Sequence, residues 1–333
     1  MAKFSIVLPV RNGGEYIKSC VYSILNQTIP DFNLEILDNC SNDETVTWLR
    51  SLSDKRIRIY PAEKLLSIEE NWGRIKNINK NEFMTFLGHD DLLDKDFLEI
   101  MDRLIQKHPD AGFYQANFRY INPEGNLIRY CKPMDEIQSA PEFLAFFLSN
   151  MYELSIGQII RSADYDRIGG IPPYPNLLYA DCELWMRLLQ NKYRASSSQV
   201  CCSYRVHSSS TTNSSSYLKH YEAFMQLFSF FIQLKESDKA FAEIFSRYGM
   251  EFFKLYCQSF AHKLLRIPRN KRNNRSIRSF VDNYKNQLDI LLPGNDFNPQ
   301  TGNIKLAEQL DDNFLTRILF LGFKKIYSRP ILR

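Results

Sequence analysis

Apolar residues come in short runs along the first two hundred positions, and the runs alternate with stripes at helical spacing. Phe4 to Val10 is nearly continuous and stops at Arg11 and Asn12, with Gly13 and Gly14 next; it reads as a central parallel strand breaking into a loop. Ile17, Cys20, Val21, Ile24 and Leu25 then recur at i, i+3, i+4, i+7 and i+8, one face of an amphipathic helix. Leu34 to Leu37 predicts a second strand that runs out into Asp38, Asn39, Cys40, Ser41, Asn42 and Asp43. A helix through Val46 and Leu49 follows, then a third strand from Ile57 to Tyr60. Ile68 to Ile78 predicts a helix carrying Asn71, Trp72 and Arg74, and Phe83 to Leu87 a strand that ends abruptly at Gly88, His89, Asp90 and Asp91. Phe97, Ile100, Met101, Leu104 and Ile105 make the next helical stripe. Strands alternating with helices imply right-handed crossovers and a mostly parallel sheet with helices on both faces.

The second half is less regular. Phe113 to Ile121 predicts a strand with a turn at Asn122 to Gly125, and Pro141 to Leu148 a short apolar helix. Gly169, Gly170 and the proline-rich stretch to Pro175 form a loop, after which Asp181 opens a helix whose apolar face is Leu184, Trp185 and Leu188. Val200 to His207 reads as a final strand, and the serine-rich run Ser208 to Ser216 as a flexible loop. From Tyr217 onward the pattern is helical and aromatic, with Phe224, Leu227, Phe228, Phe231 and Ile232 in the first stripe. The pattern divides the chain into an α/β domain over 1–212, with halves 1–110 and 111–212, and a helical region over 213–333.

Composition narrows the class without changing this picture. With 44% hydrophobic and 24% charged residues in 333, the chain is globular and large enough for one big domain with an appendage. A net charge of +4 demands no nucleic-acid partner. Seven cysteines without a CxxC pair argue against a disulfide framework or a zinc site and fit reduced thiols. The amino terminus lacks the long apolar region of a signal peptide, and no run is long enough to span a bilayer, so a cytoplasmic location is expected.

Arg11, Asn12, Asp38, Asp90 and Asp91 all fall at carboxyl ends of predicted strands, on the rim where open α/β sheets bind ligands. Adjacent carboxylates there are costly unless a divalent cation or hydrogen-bond donors compensate them. The plainer alternative is that Asp91 or Asp94 caps the following helix. Neither GxGxxG nor GxxxxGK[ST] is present, which removes most of the case for a dehydrogenase or a P-loop kinase. If phosphates bind on this rim, a metal held by carboxylates takes the place of a glycine loop.

The runs SIVLPVRNGGEYIKSCVYSILNQT, EILDNCSNDET and NEFMTFLGHDDLL resemble, in order and spacing, the family 2 glycosyltransferases of the GT-A, nucleotide-diphospho-sugar transferase fold, over about the first 210 residues. The resemblance implies a GT-A type, Rossmann-like, mostly parallel sheet, with a helical extension after it. By this similarity Pro9, Arg11 and Asn12 would line the base and ribose, and Asp38 would bond the edge of a uracil or thymine. Asn71 and Arg74 would face the nucleotide, although the usual Ala-Arg-Asn triplet is absent. Asp90 and Asp91 match the last two acids of the family's metal-binding motif, Asp90 toward the ribose and Asp91 on a Mn²⁺ or Mg²⁺ ion. Gly88 stands where many relatives have the first acid.

Asp181 read by itself is a helix cap. Similar enzymes place their general base before an Asp-x-x-Leu-Trp-x-Arg helix, which makes Asp181 the expected base, with Glu183 in reserve and Ala180 in place of a frequent glutamate. Tyr204, Arg205 and His207 match a Tyr-Arg-x-His segment whose histidine contacts metal or diphosphate. The implied activity is inverting, metal-dependent transfer of one sugar from a nucleotide diphosphate, UDP above all, to a hydroxyl of a glycan or lipid-linked acceptor in bacterial-type surface polysaccharide synthesis. Two rivals remain: an inactive sugar-nucleotide-binding scaffold, favoured by Gly88 and Ala180, and a nucleotidyltransferase, disfavoured by the missing glycine-rich loop. Seven Lys or Arg between Lys263 and Arg278 with no acid, and the basic, apolar carboxyl terminus, read plainly as a solvated basic face; the functional alternative is attachment to an anionic membrane surface rather than nucleic-acid binding.

Overall fold

A computed structural model describes residues 2–150, 156–208, 210, 215–272, 275–299 and 302–327. Strands β1 (Phe4–Val10), β2 (Phe32–Asp38), β3 (Ile57–Pro61) and β4 (Phe83–Phe86) alternate with helices α1 (Tyr16–Leu25), α2 (Thr45–Ser51) and α3 (Ile68–Gly73). They lie side by side in the order β3-β2-β1-β4, all parallel, with Val10 opposite Asp38 and Asp38 opposite Pro61. Every residue of β1 is buried, as a strand covered on both faces requires. The helix expected over Ile68 to Ile78 is α3 followed by a tighter turn over Arg74–Asn77, with Ser67 and Glu70 closing a capping box at its start.

Beyond β4 the order continues β9-β6-β10-β5. Here β5 is Leu92–Leu93, β6 Phe113–Ile121, β9 Gln158–Arg161 and β10 Tyr193–Arg205. β9 runs antiparallel between β4 and β6, whereas β6 and β10 are parallel along a long ladder. The four longest ladders are parallel, and the antiparallel ones are short. Two short strands, β7 (Leu127–Tyr130) and β8 (Ile137–Ser139), pair with β6 and β10. Helix α4 (Phe97–Lys107) follows β5, and α5 (Ala140–Asn150), α6 (Ser162–Arg167) and α7 (Ala180–Leu188) complete this half. The short strands and α6 escape a reading of periodicity because each is too short to show any. The final strand begins at Tyr193, well before Val200; its polar stretch Ser196 to Gln199 hides it from an apolar pattern, and its register with β6 shifts between Ser197 and Val200 and again between Val200 and Ser203.

Two compact units result. One is residues 1–215 with Glu222–Leu227; the other is Ser216–Tyr221 with 228–333. The second is helical: α8 (Tyr217–Ser237), α9 (Lys239–Leu265), α10 (Ile277–Leu291), α11 (Gly302–Asp312) and α12 (Phe314–Tyr327). Its core is aromatic, with Phe228, Phe231, Phe245, Phe253, Phe260 and Tyr284 buried. It also holds an internal ion pair, Arg272 with Asp311, both almost wholly enclosed. All seven cysteines are free thiols. Among the described residues no helix is long and apolar enough to cross a membrane.

Candidate active site

The loops after β1 and β2 are stapled together by short-range polar contacts. Asn12, at φ 51°, donates its N–H to Ser41 Oγ (2.8 Å) and accepts from Asn42 N–H through Oδ1 (2.9 Å); Gly13 N–H reaches Thr45 Oγ1 (2.8 Å). Pro9 sits in β1 opposite Leu37, and Arg11 projects into solvent. Asp38 is buried, its two carboxylate oxygens facing Ser41 N–H at 3.3 and 3.4 Å. Beneath it, Asn71 Nδ2 donates to Leu37 O (3.2 Å). Arg74 donates to Asp38 O (3.1 Å), Asn71 Oδ1 (2.9 Å), Tyr60 O (2.7 Å) and Pro61 O (3.0 Å). These two side chains therefore brace the carboxyl ends of β2 and β3, adding to the Ala62 N–H that Asp38 O also accepts (2.8 Å). Burial lowers the Arg74 guanidinium from its ordinary value.

At the end of β4 the backbone turns at Gly88, and two carboxylates fold back over it. A Cβ on Gly88 would lie 2.6 Å from Asp90 Oδ1 and 3.1 Å from Asp91 Oδ2. A side chain at position 88 would therefore require these two carboxylates to shift. Asp91 is buried; its Oδ1 accepts from Arg205 N–H (2.8 Å), and burial, then the neighbouring Asp90, hold its carboxyl well above the usual range. Asp90 Oδ2 bonds His207 Nε2 (2.6 Å), and its carbonyl accepts from Arg205 Nε (2.8 Å). Arg205, also buried, continues to Asn122 O and Pro123 O and lies over the Tyr16 ring, which in turn meets the His207 ring at 5.4 Å between centroids. Neither Asp91 nor Asp94 caps α4: its N-cap is Asp96, and Asp94 pairs with Arg119.

Asp181 is the second residue of α7, whose N-cap is Tyr179 at φ 64°, so it is not itself the cap. Its Oδ1 accepts from Cys182 N–H (2.9 Å), yet burial of the carboxyl raises its pKa to about 6. Trp185, one turn on, stacks on Phe86 of β4 (5.8 Å, 19°) and Phe113 of β6 (4.7 Å, 29°). Because Phe86 lies two residues before Gly88, this stack joins the helix of Asp181 to the strand of Asp90 and Asp91. The link is also electrostatic: the Tyr204 phenol is raised by burial and then by Asp91, Asp90, Tyr120 and Asp181. Glu183, the reserve base, is buried and bound to the Tyr174 hydroxyl and to Arg187. The loop before α7 has Asn176, Leu177 and Tyr179 at positive φ. Glu69 of α3 accepts the Asn176 N–H, and Asn176 Nδ2 donates to Ser215 Oγ (2.8 Å). Sequence reasoning missed Tyr16 and Glu69, neither of which lies in a pattern that marks it. Of the serine-rich run, residues 209 and 211–214 lie outside the described residues.

Among the described residues no three His, Cys, Asp or Glu side chains are arranged to hold a metal ion unaided. The donor set still fits a hard cation that arrives with a diphosphate. Asp91 is a buried carboxyl beside a second acid, and Asp90 on His207 Nε2 is the carboxylate–imidazole contact that orients a ligating histidine.

Residues 5–168 match the family model Glycosyl transferase family 2. An uncharacterized glycosyltransferase of Rickettsia typhi is 28% identical over 225 residues, 66% of this chain and 69% of its own length. The putative teichuronic acid biosynthesis glycosyltransferase TuaG of Bacillus subtilis is 27% identical over 206 residues, 59% of this chain and 76% of its own. In three dimensions, residues 1–349 of S. aureus TarS superpose with a TM-score of 0.60 at 17% identity, covering 92% of this chain and 90% of that one. The same TarS fragment in complex with UDP-GlcNAc gives a TM-score of 0.60 at 16% identity, covering 92% and 91%. A GT-A sheet with acids gathered at its carboxyl rim, and a family match over the part of the chain that builds most of it, lead to one conclusion: residues 5–168 are a glycosyltransferase family 2 domain.

Proposed function

We propose that the protein is an inverting, metal-dependent glycosyltransferase that moves one sugar from a UDP-sugar to a hydroxyl of a glycan or lipid-linked acceptor in surface polysaccharide synthesis. The observation that carries this is the convergence of Asp90 and Asp91 over Gly88, with Asp181 brought to the same side by the Trp185–Phe86 stack. The UDP and UDP-GlcNAc complexes of TarS support the choice of donor, and the teichuronic acid biosynthesis role in TuaG's name supports surface polysaccharide synthesis.

In this reading Pro9, Arg11, Asn12 and Asp38 receive the base and ribose, over the floor that Asn71 and Arg74 brace. Asp91 and His207 would hold Mn²⁺ or Mg²⁺, with Asp90 orienting the imidazole. Bound there, the cation would supply positive charge against the diphosphate. Asp181, ionised at neutral pH, takes the proton of the acceptor hydroxyl while that oxygen bonds to the anomeric carbon from the side opposite the diphosphate. The bond to the diphosphate breaks, its electron pair leaves with the diphosphate, and the anomeric configuration inverts. Glu183, tied to Tyr174 and Arg187, is not available for this step. The basic carboxyl-terminal segments bring the enzyme to an anionic membrane face where the acceptor is presented.

The test is a pair of variants with UDP-sugars and Mn²⁺. Asp181→Asn is expected to abolish transfer with donor binding retained, and Asp91→Ala to weaken metal-dependent donor binding. Wild-type turnover by both removes the assigned roles. Donor hydrolysis without acceptor distinguishes an enzyme from an inactive sugar-nucleotide scaffold.

A further inference from the structure

Helix α12 carries an apolar face on the outside of the helical unit. Phe314, Leu315, Ile318 and Leu319 are 72%, 68%, 49% and 72% exposed, and their spacing sets them on one side of the helix, a stripe that Phe323 continues. The orientation is anchored. Arg317, on the other side, is buried, and its Nε donates to Leu265 O (3.1 Å) at the end of α9. A contiguous outward apolar stripe marks an interaction surface.

Charge indicates what covers it. From Asn313 to Arg333, besides the buried Arg317, the chain carries Lys324, Lys325, Arg329 and Arg333 and no acid. A basic, apolar helix matches an anionic headgroup layer over hydrocarbon. A second copy of the same helix would bring like charges together. Since no described helix is long and apolar enough to cross a bilayer, the helix would lie in the plane of the interface. Charge alone is a weaker anchor than the sequence suggests. Arg272 is enclosed with Asp311, and Arg317 is bound to backbone carbonyls, so neither faces outward.

We infer that α12 is an interfacial anchor, its Phe314, Leu315, Ile318 and Leu319 face immersed in an anionic lipid surface. The inference deepens the membrane association proposed above and rests on it, but vesicle binding itself is measured without donor or acceptor. The full chain is sedimented with vesicles of phosphatidylglycerol and phosphatidylethanolamine, and separately with phosphatidylcholine alone. The wild type is expected to partition onto the anionic vesicles more strongly. Leu315→Ser with Leu319→Ser is expected to lower that partitioning about tenfold or more, with the unfolding midpoint and the rate of donor hydrolysis in solution unchanged. Three results overturn the anchor: a wild type that stays in the supernatant, a double variant that binds like the wild type, or a wild-type dimer that the double substitution converts to monomer. Loss of donor hydrolysis in the wild type with vesicle binding intact would instead remove the enzymatic reading and leave the anchor standing.

Discussion

Replacing Asp181 by Asn is expected to stabilise the protein while stopping transfer, and the gain depends on pH. The folded carboxyl has a pKa of about 6, against about 3.9 in an unfolded chain. A raised folded pKa is a stabilising contribution below the unfolded value that is lost as pH rises through the folded one. Above pH 6 the ionised carboxyl therefore costs the folded state up to about 3 kcal/mol, and at pH 5 about 1.5 kcal/mol. Solvent reaches part of the residue, so these are upper bounds. Asn carries no charge at either pH, and its Oδ1 can still accept the Cys182 N–H. Denaturant unfolding of wild type and variant at pH 5 and pH 8 measures the difference directly. In thermal scans the extra gain at pH 8 corresponds to about 3–6 °C, at roughly 2–4 °C per kcal/mol for a unit of this size. Equal stability at pH 8, or the same gain at both pH values, would show that burial does not load this carboxyl. Retained transfer by the variant would move the base elsewhere.

Wild-type kcat/KM is expected to rise with pH through a limb near 6 as Asp181 ionises, and a flat profile from pH 5 to 8 would contradict its role. Gly88→Asp, which rebuilds the fuller acidic motif, is expected to lower turnover about tenfold or more rather than raise it. Its Cβ would meet Asp90 Oδ1 at 2.6 Å and displace Asp90 from His207. Glu69→Ala removes the acceptor of the Asn176 N–H. It is expected to lower kcat about tenfold, with donor binding by calorimetry little changed, as the left-handed segment before Asp181 relaxes. Trp185→Ala is expected to cost about 3–5 kcal/mol in chemical unfolding, because it empties the stack between Phe86 and Phe113.

Much of the frame was legible from residue order alone. The first four strands and the helices between them appear where apolar runs and 3.6-residue stripes predict, because strand and helix alternate there in the order of the chain. Asp38, Asp90 and Asp91 could be assigned to one rim for the same reason: parallel strands place their carboxyl ends together. Tertiary structure decided what local pattern does not encode. β9 enters antiparallel between β4 and β6, and four residues carry no usable period. Asn71 and Arg74 brace strand ends, a role set by carbonyls that only the folded sheet brings together. Asp181 differs from Glu183 through partners: Glu183 is tied to Tyr174 and Arg187, whereas Asp181 accepts from Cys182 N–H. The approach of its helix to Asp90 and Asp91, almost a hundred residues earlier, depends on Trp185 stacking across Phe86 and Phe113. That contact joins residues distant in the chain, and its stability comes from area removed from water, which no one-dimensional pattern specifies.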